Sequence, residues 1–133
     1  MFKQTQSGND LTIILSNSKL AGMPLAIAAP GASVALTTMY SIADCICPNC
    51  IDQIEVGMAP GVRAGCVYDA NPTMASCMTP TTGMATFPII APTTPGAYEI
   101  RFNLGQAFAC GTTPNWFAQA PSAATTVAVL CVR

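Results

Sequence analysis

The chain has 133 residues, enough for one domain with a real core; 51% are apolar and 8% charged, against about a quarter charged in ordinary soluble proteins. Five basic and six acidic residues leave a net charge of −1, and the basic ones, scattered from Lys3 to Arg133, make no stripe that could neutralise phosphates, which excludes nucleic acid as a partner. Histidine is absent, and with it the usual general base, proton shuttle and metal ligand at neutral pH.

Along the chain, residues 1–9 are polar where a signal peptide would be turning apolar, so no export signal of the ordinary kind is read there and the segment is expected to be mobile in isolation. Leu11, Ile13 and Leu15 then alternate with Thr12 and Ile14, a short β-prone pattern. It reads either as a strand of the domain's own sheet or as a donor strand that adds to a neighbour's open edge. Residues 1–20 are accordingly expected as a strand-bearing extension and residues 21–133 as a single domain. The small-residue stretch 20–29 is interrupted by Pro24 and Pro30 and is far too short to span a bilayer.

Further strands are predicted at 24–28, at 34–42, at 51–58 with Ile54, Val56 and Met58 on the buried face, at 66–68, at 85–90 and at 125–132. The clearest pattern is at 97–104, where Tyr98, Ile100, Phe102 and Leu104 face one way and Glu99, Arg101 and Asn103 the other. Turn residues punctuate these strands: Pro30-Gly31, Pro48-Asn49, Pro60-Gly61, Asn71-Pro72, Thr82-Gly83 and Pro95-Gly96. No stretch sustains a helical period. Many short strands with turns at this spacing predict an all-β, Ig-like β-sandwich of about seven to nine strands, with a jelly roll as the alternative.

Cys47-Pro48-Asn49-Cys50 through Gly57, then Cys66-Val67-Tyr68-Asp69, then Pro92-Thr93-Thr94-Pro95-Gly96-Ala97-Tyr98 through Phe102, and finally Gln106-Ala107-Phe108-Ala109-Cys110 follow one another in an order that resembles a cysteine-containing Ig-like module of bacterial extracellular and surface proteins. The similarity covers about residues 34–132. It implies a binding or structural module with no chemistry of its own, and an extracellular or cell-surface location. The N-terminal extension and Cys131 depart from the pattern.

Seven cysteines (Cys45, Cys47, Cys50, Cys66, Cys77, Cys110 and Cys131) suggest an oxidised, cross-linked protein, and their odd number forbids complete pairing within one chain. Cys47 and Cys50 form a C-x-x-C, but it precedes a strand where a redox site would open a helix, and a second close pair for zinc is missing. Structural disulfides are therefore the expectation. Placed on an Ig-like sheet, Cys45, Cys47, Cys50 and Cys110 gather at one pole, with Cys66 and Cys131 toward the other. That placement predicts Cys110 bonded to Cys47 or Cys50, with Cys131 or Cys45 left to bond between chains.

Catalytic groups are sparse. Glu55 and Glu99 are expected on strand faces toward solvent, and Asp44, Asp52 and Asp69 lie near loops without the spacing of a calcium loop. Trp116 and Phe117, in the segment 111–124, are candidates for contact with a ligand or glycan. The expectation is a non-enzymatic structural subunit without cofactor, metal site or membrane span. It would assemble with itself into an extracellular filament, tube or coat by strand addition, through Leu11, Ile13 and Leu15, and by disulfide cross-linking. The alternative is an adhesin-like or carbohydrate-binding module.

Overall fold

The computed structural model of the chain describes residues 2–5, 12–43, 51–58, 62–70, 79–106, 110 and 126–133. These form strands β1 (Phe2–Thr5), β2 (Thr12–Leu20), β3 (Leu25–Ala28), β4 (Ser33–Ala43), β5 (Asp52–Met58), β6 (Val62–Ala70), β7 (Thr81–Ile90), β8 (Gly96–Gln106) and β9 (Thr126–Val132). They make two sheets, one in the order β1-β2-β4-β7 and one in the order β3-β9-β8-β5-β6. The protein is an all-β sandwich. The runs β4-β7 and β9-β8-β5-β6 have the B-E and G-F-C-C′ adjacency of an immunoglobulin-type sandwich.

Alternation builds the core. In β4, Val34, Leu36 and Ile42 turn inward, with Thr38 between them; in β8, Ile100 and Phe102 do so, and in β9, Ala128, Leu130 and Val132. Burying each such side chain contributes about 1.5–3 kcal/mol. The expected pairing of the 51–58 and 97–104 segments is realised, β5 lying antiparallel to β8 with Ile54 opposite Leu104 and Val56 opposite Phe102. The single buried hydroxyl on the inner face of β4, Thr38, meets Ser18 Oγ at 2.7 Å. Ser18 reaches it because β2 bulges at Asn17, whose φ is 53°, with the register shifting between Ser16 and Lys19.

The N-terminal residues belong to this architecture. Phe2–Thr5, expected to be mobile, forms β1, antiparallel to β2. β2 in turn pairs with β4, and Ile13 and Leu15 are completely buried in the chain's own core. Residues 2–5 and 12–20 thus supply two strands of the four-stranded sheet.

Two turns carry the chain across. Leu20 and Met23 exchange main-chain hydrogen bonds at 2.7 and 2.9 Å around Ala21 (φ 47°) and Gly22 (φ 84°), a two-residue turn of type I′. The chain then crosses to the other sheet as β3, which runs parallel to β9. It returns through Ala29-Pro30-Gly31-Ala32, where Ala32 N donates to Ala29 O at 3.1 Å and Gly31 adopts φ 73°. Proline followed by a positive-φ glycine is the requirement of a type II turn.

Candidate functional site

The outward surfaces of the two sheets differ in chemistry. On the four-stranded sheet, β4 and β7 lie antiparallel with Ser33 opposite Ile90, Ala35 opposite Pro88, Thr37 opposite Thr86, Met39 opposite Met84 and Ser41 opposite Thr82. These residues alternate with the buried ones and point away from the core; Met84 and Ile90 are 70% and 57% exposed. None carries a charge. Thr37 and Thr86 hydroxyls hydrogen-bond to each other at 3.0 Å, so part of the polar capacity is satisfied within the face.

At one end of this ladder Tyr40 lies across its partner Gly83: a Cβ built on Gly83 would sit 2.6 Å from Tyr40 Cζ. The Tyr40 ring also meets Tyr68 of β6, centroids 5.4 Å apart and planes tilted by 53°. Burial chiefly, with the neighbouring Tyr40 and Asp52 side chains adding to it, pushes the Tyr68 phenol above its ordinary value.

The five-stranded sheet turns a polar network outward. Gln53 Nε2 donates to Asp69 Oδ1 at 3.0 Å. Arg101 donates from Nε and Nη2 to Glu99 Oε2 at 2.9 and 2.6 Å, and Thr126 Oγ1 donates to the same oxygen at 3.1 Å. The Arg101 hydrogen bond chiefly, and that of Thr126 in support, hold the Glu99 carboxyl below its usual value against the opposing effect of desolvation. Glu55 does not face solvent as expected. It is fully buried, as are Gln53 and Asp52, and Arg101 is 5% exposed. Period-two alternation identifies the face a residue shares but not what later covers that face.

Cys110 is part of that covering. It is disulfide-bonded to Cys66 with Cα atoms 6.0 Å apart, and its main-chain N–H donates to Asp69 Oδ2 at 3.1 Å. This corrects the expected bond from Cys110 to Cys47 or Cys50, and with it the placement of Cys66 at the opposite pole. Cys66 lies opposite Glu55 in the middle of β5 rather than at a pole, and a bulge sets the face it occupies. The β5–β6 register shifts between Ile54 and Glu55, so Tyr68 is opposite inward Ile54 while Cys66 is opposite outward Glu55. Cys66 and Asp69 thereby come to one face, where both engage Cys110. A strictly alternating strand would have put Cys66 and Tyr68 on the same side.

Cys131 is a half-buried free thiol on β9, opposite Ile27 on one side and Ala97 on the other. Cys45, Cys47, Cys50, Cys77, Leu11, Asp44, Trp116 and Phe117 lie outside the described residues. Among the described residues no three His, Cys, Asp or Glu side chains are arranged to hold a metal ion, and no helix is long and apolar enough to cross a membrane.

β3 was legible as a strand but not as an edge. It ends the five-stranded sheet, and Leu25 and Ile27 are 48% and 54% exposed on it, with Met23 exposed just before. The signal available in the sequence was a short apolar segment between two turn signals without a charge. No protein-family model, curated protein or solved structure matches this chain.

Proposed function

We propose that the protein is a structural subunit that associates with its own copies into an extracellular filament, tube or coat. The observation that carries this reading is the charge-free outward ladder of β4 and β7, from Ser33 and Ile90 to Ser41 and Thr82. The β4–β7 ladder, with Met39, Met84 and Ile90 exposed, carries no charge of its own, Lys19 on β2 opposite Thr37 being the described charge beside it, and sheets pack face to face at about 10 Å. A net charge of −1 adds little long-range repulsion.

The Cys66–Cys110 disulfide favours an oxidising location. Covalent reinforcement between subunits would draw on the cysteines outside that bond, Cys131 among them. Strand donation through Leu11, Ile13 and Leu15 would take the form of an exchange, since Ile13 and Leu15 fill the chain's own core: β1 and β2 of one copy would replace those of another.

Sedimentation velocity and negative-stain microscopy of the full chain, with and without reductant, test the reading. Oligomers that grow with concentration are expected, and Met39→Lys with Met84→Lys should shift them toward monomer without changing the thermal unfolding of the subunit. A chain that stays monomeric throughout would refute self-assembly.

A further inference from the structure

β3 forms one edge of the five-stranded sheet. β3 is held to β9 in parallel, and Val129 N donates to Pro24 O while Arg133 N donates to Ala28 O, both at 3.1 Å. In a parallel ladder alternate residues address the neighbouring strand. Pro24, Ala26 and Ala28 therefore turn their main-chain groups to β9, and Leu25 and Ile27 turn theirs away from the sheet. Of residues 21–31, all are exposed except Ala26, which is buried, and Ala28, which is half-buried, so this edge stands open. Open edges are normally blunted by short strand length, a proline, a lysine, an inward charge or a covering segment, and β3 is short, at four residues, with Pro24 before it. Leu25-Ala26-Ile27-Ala28 has none of the charges.

We infer that β3 is a homotypic docking edge, its occupant the β3 strand of a second copy in antiparallel register about a two-fold axis through Ala26. This rests on the self-assembly reading and names the contact within it. In that register Leu25 stands opposite Ile27 of the second copy, and Ile27 opposite its Leu25. Each pair exchanges both of its outward N–H and C=O groups, so every main-chain group left over by the parallel ladder finds a partner. The exposed side chains meet as cross-strand apolar pairs on the outer face. Arg133, exposed beside Ala28, is the described charge next to this strand, and the two-fold places the two copies of it at opposite ends. A foreign strand could satisfy the same main-chain groups. The two-fold copy also matches the side chains, which is what an isologous contact requires.

Two consequences follow from the geometry. Cys131 lies on β9, one strand in from the edge, so across the dimer the two Cys131 residues are three strand spacings apart, at least about 14 Å. A disulfide needs Cα atoms within about 7 Å, so this contact forms without a Cys131 bridge and survives reductant. Moreover, one isologous contact closes a pair. A second one elsewhere, such as the β4–β7 face, is what allows the pairs to propagate.

The test uses the full chain under reducing conditions. Ile27→Pro removes the outward N–H while sparing the bonds to β9, a placement proline tolerates on an edge. Leu25→Lys puts a charge on the open edge. Each is expected to raise the dimer dissociation constant at least about ten-fold in sedimentation equilibrium. Amide hydrogen exchange should show Leu25 and Ile27 gaining protection as concentration rises in the unsubstituted protein and not in the variants. Far-UV circular dichroism and thermal unfolding verify that both variants fold; should Ile27→Pro fail to fold, Leu25→Lys and the exchange data decide. Self-association that persists unchanged in the folded variants overturns the edge assignment and leaves self-assembly standing. A protein monomeric at every concentration overturns both.

Discussion

Tyr98 Oη donates a hydrogen bond to the main-chain oxygen of Thr94, 2.7 Å away and four residues upstream. This is a tyrosine corner. It sits at the start of β8, where the chain turns from one sheet into the other, the place such corners occupy in immunoglobulin-type sandwiches. Pro95-Gly96 makes the bend, and the phenol pins it. The Tyr98→Phe variant keeps the ring and loses only this bond. Its stability should fall by about 0.5–1.5 kcal/mol, a few degrees in melting temperature, read from paired urea and thermal unfolding curves.

The Cys66–Cys110 bond closes a 44-residue separation. On the loop-entropy account, replacing both cysteines with serine should cost about 4 kcal/mol in denaturant unfolding, and peptide mapping of the unreduced protein checks the pairing itself. Mapping should recover residues 66 and 110 in one cross-linked fragment. Unfolding midpoints that do not move on double substitution would show that the bond contributes nothing to the fold.

Gly83 has no room for a side chain while Tyr40 keeps its position over it, since a Cβ would lie 2.6 and 2.9 Å from Tyr40 Cζ and Cε1. Gly83→Ala should destabilise by about 1–3 kcal/mol, the usual range for overpacking. Adding Tyr40→Ala should cost less in the Gly83→Ala background than alone, because the clash is then gone. A double-mutant cycle that is strictly additive would rule out this contact.

Ala21 occupies left-handed backbone at φ 47°, a conformation that costs an L-residue with a Cβ about 1–2 kcal/mol. Asn-Gly is the preferred pair for a type I′ turn, so Ala21→Asn, next to Gly22, should stabilise the fold by about 0.5–1 kcal/mol. Chemical denaturation of the variant is the measurement. A loss of stability would contradict the turn geometry.

Glu99 ionises more readily folded than unfolded because Arg101 and Thr126 donate to it. In the interval between the two pKa values the unfolded chain binds more protons, so stability rises with pH there. The contribution is fully present above the ordinary carboxylate value of 4.5 and is lost as pH falls through the lowered folded value. Melting temperature against pH should decline in that acid range, and Glu99→Gln should flatten the decline. Tyr68 behaves oppositely: its raised pKa contributes stability below the unfolded value of 10.0 that is lost as pH rises through the folded value.

The strand pattern of this protein was legible because period-two alternation is a local property. The 97–104 pattern, the inward residues of β4 and the antiparallel partnership of β5 with β8 all follow from which residues can share a dry face. The Pro30-Gly31 turn was legible for a similar reason, since its backbone angles suit those two residues. The candidate site was less so. Neither the charge-free β4–β7 ladder nor the open β3 edge exists until strands distant in sequence take their register.

The β periodicity and the spacing of turn residues by themselves determined an all-β sandwich. Tertiary structure decided the rest. A bulge in β6, which alternation cannot foresee, turned Cys66 outward toward Cys110. The covering of β5 buried Glu55, and the crossing of β3 to the second sheet left Leu25 and Ile27 on an edge. Each depends on long-range pairing, and burial is a property of what the rest of the chain brings to a residue.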